Sequence, residues 1–260
     1  MPVGATCGSN AAVELAAHIR TLIKAGRRRG TLWVRVLDVV RLLPTAEGRA
    51  RLWTRLVHRS EVHQTTPFTA EDRYPELFDL AAKLAPRARR ILSFGCSTGE
   101  ELIAIRRRFP LAEIVGAEIN PRSRRIAVRN LAADRAVRVL PPREIGGSFD
   151  LIFALAVLQC EPHAVEEMGI DDLSRRYPFD RFDKTVTDFA ERLEPGGVLC
   201  VTSSLYRIED SSASARLHPV RESPEAPPPF FGRDGRRLTG ATARTFFRKG
   251  GPGGRQGGAR

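Results

Sequence analysis

Arg90-Ile-Leu-Ser-Phe-Gly-Cys-Ser-Thr-Gly-Glu-Glu-Leu102 reads as a strand, a turn and the start of a helix in one short stretch. The apolar run Ile91 to Phe94 stops at Gly95-Cys-Ser-Thr-Gly99 and passes into the helical spacing of Leu102, Ile103 and Ile105. Glycines at such a turn allow backbone angles closed to other residues and let a ligand approach the main chain. The free N–H groups of the helix start then point at whatever is bound there. This is the loop of a nucleotide-class ligand site in an α/β sheet.

The same residues disfavour a dinucleotide, leaving an NAD-dependent reductase as the weakest rival, and exclude a P-loop. The dinucleotide fingerprint G-x-G-x-x-G, started at Gly95, would put its later glycines on Ser97 and Glu100. A P-loop needs Gly-Lys-Ser/Thr, which does not follow. Glu100 and Glu101 place two carboxylates at the helix start, where a pyrophosphate would otherwise sit. They repel phosphate and suit a cationic or amino-bearing ligand.

Gly95-Cys96-Ser97-Thr98-Gly99-Glu100-Glu101 resembles the first motif of class I S-adenosylmethionine (SAM) methyltransferases, and in particular the Cys-Ser-Thr-Gly-Glu-Glu form of chemotaxis-receptor methyltransferases. The family pattern is acidic-x-Gly-x-Gly-x-Gly. This chain keeps its first and third glycines at Gly95 and Gly99, has Ser97 at the second, and has Ser93 at the acidic position. The resemblance implies SAM as cofactor, with Gly95, Cys96, Ser97, Thr98, Gly99 and Glu100 around its methionine end. Glu100 then substitutes for the missing acid. Cys96 fits there as a small residue that lets the loop pack.

The sequence beyond the loop keeps the alternation of strand and helix. Ala112 to Asn120 reads as a second buried strand ending in Glu118, about twenty positions after the loop, where a carboxylate accepts from ribose hydroxyls in nucleoside-binding α/β folds. Ile119 stands beside it in the same site. Asn120 caps a helix with Pro121 at its first position. Ala136 to Leu140 is a short third strand. Phe149 to Leu158 is nearly continuous apolar sequence, as a parallel strand buried on both faces requires. Leu193-Glu-Pro-Gly-Gly197 and the strand after it are similar to the family's fifth-strand turn. Residues 214–249 would close the sheet with an antiparallel hairpin. The expected fold is α/β, a doubly wound, mostly parallel seven-stranded sheet of the Rossmann-like methyltransferase type, spanning residues 86–249.

Residues 1–85 read as a helical N-terminal cap. Val13, Ala16, Ile19, Leu22 and Ile23 make one apolar face, and Leu32, Val36, Leu37, Val40 and Leu43 another. Residues 250–260, rich in glycine and arginine, read as a disordered tail. The apolar run 151–158 is too short to span a bilayer and no secretory segment opens the chain. Cys7, Cys96, Cys160 and Cys200 lack metal-ligand spacing. Together these point to the cytoplasm.

The formal charge of +12 and pI near 10.6 invite a nucleic-acid reading. The cations are nearly all arginine and spread along the chain, and no RNA-binding module accompanies them. Nucleic acid stays open as a partner, behind a small-molecule acceptor.

Methyl transfer from a sulfonium is an in-line displacement for which the protein mainly supplies orientation and electrostatics. No strong catalytic motif is needed, none is present, and no metal site is expected. An oxygen acceptor benefits from a general base. His163, just past the fourth strand, is the first candidate, and His63, in a segment that folds over the site in relatives, is the second. An ordinary polar loop histidine is the competing reading of each. Tyr74 and Gln159 are expected to line the cofactor pocket, with simple packing as their alternative. The chain therefore reads as a metal-independent methyltransferase acting on an oxygen or nitrogen. Its rivals are an RNA-directed methyltransferase, a basic RNA-binding protein, or an inactive partner-binding form of the fold.

Overall fold

The computed structural model describes residues 39–40, 42–59, 61–64, 73–160, 162–222, 229–242 and 244–251. The apolar faces read at 13–37, the arginines at 27–29, Cys7, the proline-rich stretch 224–228 and the tail beyond 251 lie outside the described residues. The chain divides into two compact units, Met1–Leu52 and Trp53–Arg260. Helix α1 covers Ala46–Val57. It starts where Thr45 Oγ1 accepts from the Gly48 N–H at 2.9 Å, a side-chain cap on an otherwise unpaired donor. Val40 and Leu43, read as part of an apolar face, are exposed.

In the second unit the described residues form one seven-stranded sheet. Its strands are β1 (Arg90–Phe94), β2 (Glu113–Ala117), β3 (Val137–Leu140), β4 (Phe149–Leu155), β5 (Leu193–Thr202), β6 (Leu217–Glu222) and β7 (Arg244–Lys249). Their spatial order is β3-β2-β1-β4-β5-β7-β6. The first five are parallel, and β7 is antiparallel to both of its neighbours. The expected doubly wound, mostly parallel sheet with a closing antiparallel pair is what the chain forms.

Side chains alternate across the sheet, so neighbouring residues of one strand enter opposite cores. Leu92, Ile152 and Leu199 pack with Phe182, Val186 and Phe189 of helix α6 (Phe179–Arg192). On the other face, Ile91, Leu151 and Val198 pack with Leu77 and Phe78 of helix α2 (Pro75–Leu84) and with Leu102 and Ile105 of helix α3 (Glu100–Arg108). Both faces being covered explains why β4 shows no polar alternation. Helix α2, expected within the cap, is thus built into the core. Helix α4 (Pro121–Asn130) follows β2 and helix α5 (Pro162–Glu167) follows β4 in the chain.

β5 begins irregularly. Leu193 pairs with Phe149, but the next pair is Val198 with Leu151, so Glu194 to Gly197 bulge out of the ladder. A Cβ on Gly197 would lie 2.8 Å from the Glu194 carbonyl oxygen, which fixes glycine there. The "turn" and the "strand" read from the sequence are one bulged strand. Strand order reverses between β1 and β4, since β2 lies on one side of β1 and β4 on the other. Open α/β sheets bind ligands in the crevice outside the strand ends at that reversal.

Candidate functional site

At this reversal the chain takes three left-handed turns on residues that are not glycine. Ser97 follows β1 with φ 50°, Ala156 follows β4 with φ 53°, and Ser203 follows β5 with φ 51°. Such conformations persist only where the surrounding structure enforces them, and they cluster where ligands bind.

The loop after β1 is held from several directions. The Gly95 and Cys96 N–H groups both donate to the Ala117 carbonyl at the end of β2, at 2.8 and 3.2 Å. Asn130 Nδ2 donates to the Thr98 carbonyl at 3.0 Å. Gly95 has φ 84°, and a Cβ there would fall 2.6 Å from Val157 Cγ2. That contact joins the loop to the end of β4 and leaves no room for a side chain. Cys96 is buried, and burial together with the nearby Glu118 and Glu101 charges pushes its thiol well above the usual range. It stays protonated and serves as a packing residue.

Glu118 stands at the end of β2, 8% exposed. Its Oε2 accepts from the Ser97 N–H at 2.9 Å and its Oε1 from the Asn120 N–H at 2.6 Å. Burial raises its pKa, and those two backbone donors hold it back. A carboxylate has about four acceptor positions, so about two remain on each such group once two are used. Asn120 is extended, and its side chain caps α4 by accepting from Arg122 and Ser123 N–H, as the sequence predicts. Ile119 lies between them, half-buried.

The two glutamates of the helix start behave differently. Glu100 accepts from Thr98 Oγ1 at 2.7–2.8 Å, a local bond two residues back. Glu101 instead reaches the strand: Ser93 Oγ donates to its Oε1 at 2.7 Å. Burial pushes the Glu101 carboxyl up to about 7, against the Ser93 hydrogen bond and the Arg73 charge. Glu101, the second residue of α3, thus brings a carboxylate to Ser93. Sequence reasoning assigned that part to Glu100. The signal for Glu101 was a serine at an acidic position with an adjacent pair of glutamates. The structure shows Glu101 as the one bonded to Ser93.

Tyr74 precedes α2 with its ring partly buried, and the Arg73 guanidinium sits 4.9 Å from the ring centroid. Gln159, 5% exposed, turns Nε2 back to the left-handed Ala156 carbonyl at 2.8 Å. Ser97 Oγ, in the loop, is buried with no hydrogen-bond partner, and so is Thr202 Oγ1 at the end of β5.

His63 is buried, with its ring edge-on to Phe94, the last residue of β1. Nδ1 meets Tyr177 Oη at 2.5 Å, and Nε2 meets Thr185 Oγ1 at 2.9 Å. Thr185 already donates to the Arg181 carbonyl at 3.1 Å, so it accepts from His63. That fixes the tautomer with the proton on Nε2, and Nδ1 then accepts from Tyr177. Burial, helped by Arg181, depresses its pKa to about 3. A neutral ring with both nitrogens engaged has no lone pair left to take a proton from an acceptor. His163 lies on α5, and its side chain is outside the described residues.

Among the described residues no group of three or more His, Cys, Asp or Glu stands close enough to hold a metal, and no helix is long and apolar enough to cross a membrane. Residues 69–226, well over half of the chain, match the model of a family described as "methyltransferase domain". The chain belongs to that family. Its domain is of the class I SAM-dependent methyltransferase type, on the Rossmann-like sheet that the loop and the strand order imply. No curated protein matches the methyltransferase. Solved structures similar to it include SAM-bound CalS10, an amino pentose methyltransferase from Micromonospora echinaspora involved in calicheamicin biosynthesis (23% identity, 56% of this chain, 54% of that one, TM-score 0.37). Others are the sugar N-methyltransferase KedS8 from Streptoalloteichus sp ATCC 53650 (24%, 58% and 53%, 0.38) and the N-methyltransferase NodS from Bradyrhizobium japonicum WM9 (15%, 70% and 99%, 0.43). The methyltransferase spans about half the length of the first two.

Proposed function

We propose that this methyltransferase transfers the methyl group directly to an oxygen or nitrogen of a small cytoplasmic molecule, without a metal. The observation that carries the reading is burial at the strand ends: Ser97, within the binding loop, and Glu118, bonded to it, are each more than nine-tenths buried. An enclosed crevice suits a small acceptor.

The residues present fit SAM. When bound, it supplies an electrophilic methyl group on a sulfonium, beside an ammonium and a ribose. Glu118, with its unused acceptor positions, would take the ribose hydroxyls. Glu101 would hold the ammonium, with Ser93 fixing its carboxylate. Ser97 Oγ, buried and unpartnered, gains a partner when the crevice is filled. Gly95, Cys96, Thr98, Gly99 and Glu100 shape the loop, while Ile119, Tyr74 and Gln159 line it. The acceptor would lie over the ends of β4 and β5. His163 remains the candidate base there, and His63 is reassigned to holding the segment around it. A sulfonium is a good leaving group, so orientation suffices and no Lewis acid is needed.

Calorimetric titration of SAM and S-adenosylhomocysteine tests the cofactor assignment, with Glu118→Ala alongside. Micromolar binding that collapses in the variant is expected. Labelled SAM then tests the acceptor in cell extract separated into small-molecule, RNA and protein fractions, with and without EDTA. Label should enter the small-molecule fraction and be indifferent to EDTA. Label in RNA or protein, or loss with EDTA, would overturn the reading.

A further inference from the structure

We propose that the outer face of α4 and the turn after it form a docking surface for duplex RNA, which is held by its phosphodiester backbone and is not the methyl acceptor. The inference goes beyond the functional reading above and needs no bound cofactor.

The surface begins as a charge imbalance. Residues 121–138, from α4 into β3, hold six arginines and one acid, Asp134. Two of the arginines are occupied within the fold: Arg124 Nη1 donates to the Glu118 carbonyl at 3.2 Å, and Arg138 pairs with Glu113. Asp134 is itself taken by Arg106 of α3, whose Nε donates to Oδ2 at 2.7 Å. Arg122, Arg125, Arg129 and Arg135 are exposed. Among the described residues, no hydrogen bond or ion pair engages the guanidiniums of Arg125, Arg129 and Arg135.

The helix sets these charges in line. Arg122, Arg125 and Arg129 follow the spacing i, i+3, i+7 and share one stripe, about 10 Å long at the usual helical rise. Ser123 and Ala127 are buried on the opposite side. Arg122, Arg124 and Arg125 also crowd the start of the helix, where no acid stands. Cations there oppose the helix dipole, so the arrangement costs stability, and no acid on α4 offsets it. A local rule broken in this way marks a surface kept for something outside the chain.

The chemistry of the stripe selects the partner. A guanidinium fork matches two phosphate oxygens at once. Val128 is the one large apolar side chain exposed on α4, too little for the centre of a protein interface or for insertion into a membrane. No aromatic residue occurs in 121–138, so unpaired bases find nothing to stack on, and a duplex is favoured over a single strand. Asn130, the amide of the helix, is tied to the Thr98 carbonyl and is not free to read base edges as the DNA major groove invites. Duplex RNA closes its bases in a deep, narrow groove and is gripped by shape and phosphate.

The test is fluorescence anisotropy of a labelled RNA duplex of about 16 base pairs with the full chain, at about 50 to 200 mM salt. The wild type should bind, more weakly as salt rises. Arg125→Gln/Arg129→Gln/Arg135→Gln should bind at least about tenfold more weakly, with a salt slope lower by about two to three. Arg87→Gln/Arg175→Gln/Arg236→Gln removes the same charge from three exposed arginines elsewhere and should change affinity less than about threefold. Equal losses in the two triple variants overturn the surface, because they would mean attraction to net charge alone. No binding by the wild type overturns it too, as does equal affinity for duplex DNA of the same sequence. A parallel loss of S-adenosylhomocysteine binding in the first triple variant would mean a damaged fold, and Arg129→Gln alone then decides. That variant should cost about threefold in RNA affinity, and no change overturns the surface. A wild type that binds RNA but not S-adenosylhomocysteine overturns the functional reading and supports the surface.

Discussion

At the scale of single residues the site turns on where a negative charge sits. Ser93 carries no charge, and Glu101, bonded to it, brings a carboxylate to it from the next helix. Its carboxyl, pushed up to about 7 by burial, is only half ionised near neutral pH. A ligand ammonium favours the ionised form, so SAM affinity should rise from pH 6 to pH 8 with a bend near 7, falling by up to about tenfold per unit on the acid side. Glu101→Gln should weaken SAM by on the order of tenfold or more at pH 8 and flatten that dependence. Calorimetry at four pH values checks both. A bend that survives in Glu101→Gln would place the titrating group elsewhere. Glu100→Gln, which loses only a local bond to Thr98, should keep the bend. Gly95→Ala should abolish cofactor binding while costing on the order of 1–3 kcal/mol of stability, because it strains a φ of 84° and drives a methyl into Val157. Thermal melts and the same titration read both effects.

Among elements, those built from local signals were readable in the sequence, and those built from distant contacts were not. The strand–loop–helix unit at 90–108 announced itself by an apolar run, two glycines and helical spacing, all within reach of one another. The Asn120–Pro121 start of α4 did so by capping chemistry. Asn120→Ala should therefore lower stability by about 1 kcal/mol in urea titration and change S-adenosylhomocysteine affinity less than threefold, since the Asn120 N–H that serves Glu118 is backbone. The contacts of Glu61 and His63 left no such trace. Glu61 and Arg143 are eighty-two positions apart, His63 and Tyr177 more than a hundred, and nothing in the local pattern of either segment marks the other. His63 was noticed as a residue that could take a proton, and it is instead one whose proton is already placed. The left-handed Ala156 and Ser203 follow from both strands having to break at the level of the crevice, which no propensity of alanine or serine foretells.

Over the whole molecule two groups perturbed by burial, His63 and the half-buried Glu101, pull stability in opposite directions as pH changes. The folded pKa of His63 is about 3, below its unfolded value near 6.5. The stability it contributes is present above pH 6.5 and is lost as pH falls toward 3, because the unfolded chain binds the extra proton. Glu101 is the reverse case. Its folded value of about 7 lies above the unfolded value of 4.5, so the folded chain holds the extra proton and stability falls as pH rises from 4.5 to 7. Between pH 4.5 and 6.5 the two slopes, each about 1.4 kcal/mol per pH unit for one proton, offset one another. Glu101→Gln removes only the second. Its stability relative to wild type should then climb by about 1.4 kcal/mol per unit from pH 4.5 to 6.5 and level off above 7. Urea unfolding of both proteins at half-unit steps measures that difference, and other carboxylates, common to the two chains, cancel from it. A difference that stays flat across the interval would mean Glu101 is ionised in the folded protein throughout. The Ser93 bond and the Arg73 charge would then outweigh burial, and the carboxylate would meet a cationic ligand already charged.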